Sequence, residues 1–375
     1  MEDFKLTNLR TYYTFDDLLL LPGPSVVEPN EIGISSKFTR NIGIRLPIVS
    51  SPMDTVTESS MASVLAKIGT IGVIHRNMSL DREIEECKKV KDQHGGEDST
   101  TDGMGRLRVA AAVGPFDIER ARALDHIGVD AIIIDCAHGH NLNVVKSANK
   151  IRREVSCDLV VGNIATPEAV DDYLSMGPDA FRVGLGAGSA CKTRVVTGVG
   201  VPQASAVHEV YLRSRGENIP IIADGGIRSG GDVVKAIALG ADSVMLGNLL
   251  AGCTESPGKI VDGSELGLEG NYKLFRGMGS KSVVARIDRY LISHKGAPEG
   301  VEGLVRFKGN AEEVINELVE NLRQGMGYVG AKDMGELKQK ARFIVITQAG
   351  REEGKPHDVI PIDYKIWERL SGSVL

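Results

Sequence analysis

At 375 residues the chain is long enough to bury the core of one large domain or two ordinary ones. Its 44 glycines exceed the roughly 26 expected at an average usage of about 7%, yet there is no Gly-X-Y period and 42% of the residues are apolar. Collagen and disordered low-complexity chains are thereby excluded. A balance of 44 basic against 50 acidic residues, net −6, excludes a general nucleic-acid-binding surface, which needs a basic excess.

The first residues, MEDFKLTNLRTYYTFDD, lack the apolar core of a secretion signal. No apolar run approaches the length of a membrane span, so no membrane partner is expected. The five cysteines are odd in number, widely spaced and without a CxxC pair. Neither a disulfide framework nor a zinc site is expected, and a reducing cytoplasm fits best.

Eight short apolar runs follow in chain order, near Pro47–Ser51, Thr70–His75, Arg108–Val113, Ala131–Asp135, Leu159–Gly162, Ala180–Gly184, Pro220–Asp224 and Ser243–Leu246. They are continuous rather than alternating, as parallel strands buried on both faces should be. Segments with helical spacing, such as Ile118–Ile127 and Gly231–Leu239, lie between them. The pattern predicts an α/β fold, a (β/α)8 TIM barrel forming one catalytic domain over 1–375. A doubly wound open sheet is the competing fold, but no GxGxxG follows the first strand.

Two segments fall outside the barrel repeat. Residues 92–106, DQHGGEDSTTDGMGR, have the composition of a flexible surface connection. Residues 253–330 read as an irregular excursion after the eighth strand, of the kind that forms lids and binding loops. The charge run REIEECKKVKD, residues 82–92, reads as the solvated face of a helix.

Barrels carry chemistry on the loops after their strands. The sixth strand runs into GLGAGSACKTR, where alternate glycines free backbone groups to face a bound ion and Cys191 is a candidate nucleophile. The other four cysteines read as small buried hydrophobes. Asp224-Gly225-Gly226 ends the seventh strand. It is either a carboxylate for ribose hydroxyls beside a phosphate cradle that Gly247 completes, or merely a tight turn. Met278, between glycines in RGMGS, is a candidate ligand contact or a core methionine. His138 and His140 lack a third partner at useful spacing, which argues for a structural role rather than metal binding. Of the 44 glycines, 19 fall within residues 181–280, the window holding these loops.

SSPMDTVTE, IGVIHRNMS, GLGAGSACKTRVVTGVGVPQ, IADGGIRSGGDVVKA, VMLGNLLAG, RGMGS, the Arg289-Tyr290 pair and LRQGMGYVGA occur in order on these loops. From about Thr14 to Pro356 the chain resembles the inosine 5′-monophosphate (IMP) dehydrogenases. Most members of that family insert a pair of CBS domains where this chain has only residues 92–106. The resemblance implies NAD-dependent oxidation of IMP to XMP in guanine nucleotide biosynthesis, through a covalent adduct of Cys191. Hydrolysis then uses an Arg289-Tyr290 flap, with Thr193 and Glu299 assisting. It further implies that Ser189, Gly226, Gly247 and Asn248 hold phosphate, Asp224 the ribose, and Met278, Gly279 and Glu299 the base, with Ser51 and Met53 lining the pocket. Asp135, Asn163 and Arg182 would face NAD. Carbonyls of Gly186, Gly188 and Cys191 would bind a potassium ion, completed by Glu353, Gly354 and Lys355 from the 340–375 tail of a neighbouring subunit in a homotetramer.

Four positions depart from that pattern: Ala187, Lys192, Asn248, and Phe275 where a phosphate-contacting tyrosine is expected. Either IMP is held less tightly, by the roughly 0.5–3 kcal/mol of one lost hydrogen bond, or Tyr272 takes the contact over. The alternatives are a GMP reductase, which deaminates GMP with NADPH and which the Arg289-Tyr290 flap argues against, and a non-catalytic purine-nucleotide-binding barrel.

Overall fold

Eight parallel strands close into a barrel in the computed structural model, which describes residues 9–284, 297–362 and 364–371. The barrel strands are Ile48–Ser50, Ile71–Ile74, Ala110–Val113, Ala131–Ile134, Asp158–Ile164, Ala180–Val183, Ile221–Asp224 and Ser243–Leu246. Each lies within or against one of the eight apolar runs. The ring closes where the first strand pairs with the eighth, Val49 opposite Met245 and Ser50 opposite Leu246.

Every residue of most of these strands is buried, but the two faces serve different cores. Val49, Val73, Ala110, Ala112, Ala131, Ile133, Val160, Ala180, Ile222 and Met245 fill the barrel interior. Phe38, Ile42 and Ile44, from the hairpin region before the first strand, plug that interior. The alternate residues, such as Ala111, Val113, Ile132 and Ile134, pack outward under the helices. This double burial is why the runs are continuous in sequence.

Helices Ser59–Lys67, Leu80–Lys91, Ile118–His126, Leu142–Glu154, Pro167–Leu174, Gln203–Ser214 and Gly230–Ala238 follow the first seven strands. The eighth position in the ring is taken by Ala311–Val329, which packs against both Gly230–Ala238 and Ser59–Lys67. Its buried residues Ala311, Ile315, Leu318, Leu322, Met326 and Val329 recur at three- and four-residue intervals, one face of a helix. The excursion before it is not irregular: Ile260–Asp262, Asn271–Arg276 and Glu302–Arg306 form a three-stranded antiparallel sheet. Its strands are short and separated by Gly263, Gly267 and Gly270, so no period of two develops for a sequence reading to detect.

The charge run 82–92 is only partly a solvated face. Glu83, Glu86 and Lys91 are buried on the inner side of Leu80–Lys91. Glu83 meets Arg120, and Lys91 Nζ lies 3.0 Å from Asp102 Oδ2 and 2.9 Å from Asp130 Oδ2. A charge pattern in sequence does not distinguish an exposed ion from a buried, paired one.

The same Lys91 ties down the 92–106 connection, which is pinned rather than loose. His94 bridges Arg106 and Thr101 bridges Leu107 in antiparallel fashion, and Thr100 N donates to Ala66 O at 2.8 Å. Asp102 is the hub, accepting from Lys91 Nζ, Arg106 Nε, and the backbone N–H groups of Met104 and Arg106. Burial opposes its ionisation, but Lys91 and the two backbone donors outweigh it and hold the carboxyl well below the usual carboxylate range. Among the described residues no helix is long and apolar enough to cross a membrane.

A carboxyl with a lowered folded pKa adds stability above its unfolded value, and that stability is lost as the pH falls through the folded value. Asp102→Asn is therefore expected to lower the melting temperature near neutral pH, with the gap to the parent closing in strong acid. A gap of the same size across the acid range would refute this account of the hub.

Candidate active site at the barrel mouth

The loops after the strands converge on one end of the barrel. The sixth-strand loop places Cys191 at the start of the short helix Thr193–Thr197, exposed, whereas Cys87 and Cys253 are buried. Burial pushes the Cys253 thiol up to about 12 and raises those of Cys87 and Cys157 as well, so these three are unsuited to act as thiolates.

Cys191 Sγ lies 3.1 Å from Thr193 Oγ1, which donates to Glu299 Oε2 at 2.8 Å. A hydroxyl has one proton; giving it to the carboxylate leaves a lone pair facing the thiol. Thiol, hydroxyl and carboxylate thus form a line along which a proton can leave sulfur. Glu299 is far away in sequence but is fastened to this loop by backbone. Lys192 N donates to Glu299 O at 2.6 Å, Val301 N to Ala190 O at 3.0 Å, and Glu299 N to Gly279 O at 3.0 Å. The turn bearing Met278 and Gly279 therefore sits against the cysteine loop, with Met278 half-buried.

Below this lies a charged network. Arg182, buried on the sixth strand, donates from Nε to Asp224 Oδ2 at 2.9 Å and from Nη1 to Asp135 Oδ1 at 3.1 Å. Burial alone would lower the guanidinium's pKa; the two carboxylates more than compensate and hold it above its ordinary value. Asn163 Nδ2 donates to the same Asp224 Oδ2 at 2.8 Å and to Gly184 O at 2.9 Å. Arg76 grips Asp135 from the other side, Nε to Oδ2 at 3.2 Å and Nη2 to the backbone O at 3.1 Å.

Gly225 and Gly226 both have φ in the left-handed region, +92° and +79°. A Cβ on Gly225 would lie 3.1 Å from Gly188 N, so the cysteine loop rests directly on the Asp224 turn, bringing Ser189 beside it. Gly247 adjoins the first-strand loop, where a Cβ would meet Met53 Sδ at 3.1 Å, and Ser51 N donates to Leu246 O at 2.9 Å. Asn248 begins a helix of four residues, Asn248–Ala251.

The structure therefore brings together Cys191, Thr193, Glu299 and Gly279, and links Asp224, Asn163, Arg182 and Asp135. Arg289 and Tyr290 lie outside the described residues. Glu353, Gly354 and Lys355 stand at the exposed end of helix Gln348–Glu353, where Gly354 N bonds Gly350 O and Lys355 pairs with Glu352. His140 pairs with Asp172 at 2.9 Å. Tyr272 does not take over from Phe275: its hydroxyl donates to Glu269 O at 3.0 Å and its ring lies under Arg306.

Three contributors were not singled out from sequence. Arg76 was visible only as a polar strand end. Gln203 donates from Nε2 to Val183 O at 2.8 Å and to Asp224 O at 3.1 Å, bracing the sixth and seventh strand ends. Asp54 pairs with Arg276, joining the first-strand loop to RGMGS. Burial opposes ionisation of Asp54, yet donation from Arg276 and Asn77 keeps its pKa lowered.

Against known proteins, the family profile described as the IMP dehydrogenase / GMP reductase domain matches residues 12–357. An inosine-5′-monophosphate dehydrogenase from Cryptosporidium parvum is 42% identical over 390 positions, covering 94% of this chain and 96% of that protein. One from Methanocaldococcus jannaschii is 38% identical, covering 95% of this chain and 97% of that protein. The structure of a GMP reductase variant from Trypanosoma brucei, in complex with guanosine 5′-monophosphate, superposes with a TM-score of 0.87 at 29% identity, over 94% of this chain and 99% of that one.

Removing the guanidinium would leave Asp224 to Asn163 and Asp135 to Arg76, and would put an apolar side chain between two part-buried carboxylates. Arg182→Leu is expected to cost about 3–5 kcal/mol of folding stability, the usual penalty for breaking a buried ion pair. Denaturant titration measures it; a loss within about 1 kcal/mol would mean that water replaces the arginine at these carboxylates.

Proposed function

The chain belongs to the IMP dehydrogenase / GMP reductase family, and we propose that it oxidises IMP to XMP with NAD, in the synthesis of guanine nucleotides, through a covalent adduct on Cys191. The observation carrying this reading is the Cys191–Thr193–Glu299 line at the mouth of the barrel.

The chemistry follows from that line. Hydride cannot leave the planar C2 of the hypoxanthine ring directly. Attack by the Cys191 thiolate makes C2 tetrahedral and electron-rich. Loss of hydride from C2 then regenerates the C=N bond and leaves a thioimidate on sulfur. Bound NAD supplies the hydride acceptor. Water next adds to C2, the C–S bond breaks, and XMP leaves as the thiol is restored. Thr193 and Glu299 would accept and return protons at sulfur and at the base, the first contact being the one at Cys191. Arg289 and Tyr290, swinging into the emptied dinucleotide pocket, would activate the water.

Substrate binding is assigned to the same loops. Backbone N–H groups at Gly226 and Gly247, with Ser189 and Asn248, would hold phosphate. Asp224 would accept from the ribose hydroxyls, and Ser51, Met53, Met278, Gly279 and Glu299 would surround the base. Asp135 offers a carboxylate for the dinucleotide ribose. Arg182 and Asn163 would face the dinucleotide from beside these carboxylates, which they also hold in place.

A potassium ion fits the donor set of the cysteine loop. Gly186, at φ +75°, has the left-handed backbone that glycine permits, and carbonyl oxygens are the hard ligands an alkali cation takes. The carbonyls of Gly186, Gly188 and Cys191 would hold it, with Glu353, Gly354 and Lys355 of a neighbouring copy completing the shell in a homotetramer. The bound cation would stiffen the loop. The five unpaired cysteines favour a reducing cytoplasm.

NAD plus IMP should raise absorbance at 340 nm, faster with potassium present. Consumption of NADPH with GMP would instead identify a reductase, and silence in both assays would leave a nucleotide-binding barrel without catalysis. Cys191→Ala should still bind IMP but form neither adduct nor NADH; normal turnover in that variant would sink the mechanism. Arg289→Ala should slow hydrolysis more than hydride transfer, so a pre-steady-state burst of NADH persists.

A further inference from the structure

The cysteine loop leaves the sixth strand at Gly184 and rejoins the barrel wall at the helix starting with Gln203. Its two ends touch at Leu185 and Val201, but only through a long bond, Val201 N to Leu185 O at 3.4 Å. Arg194 supplies what that contact lacks. Its Nε donates to Leu185 O at 3.1 Å, and its Nη2 donates to Val201 O. One guanidinium thus staples both ends of the loop, three residues beyond Cys191.

Two glycines make room for it. A Cβ on Gly186 would lie 2.6 Å from Arg194 Cγ, and one on Gly200 would lie 2.4 Å from the same atom. The arginine stem passes between these two segments so closely that a side chain at either glycine would have to displace it. The charge also sits close enough to Cys191 to be felt: burial lowers the guanidinium's pKa while Cys191 works to raise it.

We propose that Arg194 is a positioning residue for the reaction, clamping the two ends of the catalytic loop so that Cys191 is held against Thr193 and beneath the purine. The proposal rests on the reading of Cys191 as the nucleophile. Arginine suits the task because its planar fork reaches carbonyls on two separate segments with fixed N–H directions, whereas the compact ammonium of lysine can bridge two acceptors but turns freely on its stem and holds them less rigidly. Arg194 touches no reacting atom, so its loss should appear chiefly in the chemistry at sulfur; of the proposed phosphate contacts only Ser189 lies on the clamped loop, while Gly226, Gly247 and Asn248 lie on the seventh- and eighth-strand loops and should keep the grip on IMP.

The test compares Arg194→Lys, Arg194→Met and Gly200→Ala with the parent in the full-length enzyme. Three quantities are read: the rate of Cys191 alkylation by iodoacetamide, followed by mass spectrometry, kcat, and KM for IMP. Arg194→Met is expected to lose about tenfold or more in both alkylation rate and kcat, with KM for IMP within about twofold of the parent, and Arg194→Lys should fall between. Gly200→Ala should reproduce the Met phenotype with the guanidinium still in the chain, because the added methyl displaces the stem. Should Arg194→Met fail to fold, the Lys and Gly200→Ala variants decide by the same readings. Folded variants that keep the parent's alkylation rate and kcat, or that lose only affinity for IMP, overturn the clamp. Undiminished turnover in Cys191→Ala would overturn the nucleophile reading instead.

Discussion

The site depends on one buried cation. Arg182 stands inside the barrel mouth and is tolerated there only because Asp135 and Asp224 face it from the fourth and seventh strand ends. The arginine would be costly at that depth without both carboxylates, and each carboxylate has it as a main partner beside Arg76 on Asp135 and Asn163 on Asp224. The network fixes the spacing of two carboxylates that the proposed reaction assigns to two different riboses. A hydride moves between C2 of one ligand and the nicotinamide of the other only if the two are brought to near contact. A rigid guanidinium between their ribose anchors is a direct way to set that distance.

Everything above this network is loop, and loops hold geometry poorly unless tied. Here the ties are polar and specific. Backbone bonds fasten Glu299 to Lys192 and Gly279, Arg276 fastens the RGMGS turn to Asp54, and Gln203 braces two strand ends. The residues that would touch substrate come from segments far apart in the chain. Their precision comes from a second set of residues whose own hydrogen bonds are used up inside the protein.

That division explains what could be read from sequence. The eight strands were legible because double burial writes a continuous apolar run. The loops were legible because glycines and polar residues collect at strand ends, and Cys191 stood out by its alternating glycines. Arg76, Arg194 and Gln203 were not, because a polar residue at a strand end or in the loop after it looks alike whether it faces a ligand or another part of the protein. The same blindness applied to Glu83 and Lys91, read as solvated yet buried and paired. Residues 92–106 looked flexible because their order depends on Asp102, whose partners Lys91 and the turn backbone assemble only in the fold.

The glycine surplus sharpens the same point. In sequence, the alternate glycines at 184, 186 and 188 suggest backbone close to a bound ion, and Gly200 follows in the same loop. In the structure, Gly186 and Gly200 also clear a path for the Arg194 stem. A glycine-rich loop is ordinarily costly to order, since glycine gives up the most conformational freedom on folding. A charged side chain bonding both ends offsets that cost without blocking the loop's open face. Phe275 shows the complementary constraint. With no hydroxyl there, and Tyr272 committed to Glu269, phosphate recognition on the proposed reading falls to backbone N–H groups, Ser189 and Asn248. Donors of that kind are only as good as the loops that aim them, which makes the stiffness of the Asp224 turn matter more in this chain than where a tyrosine shares the work.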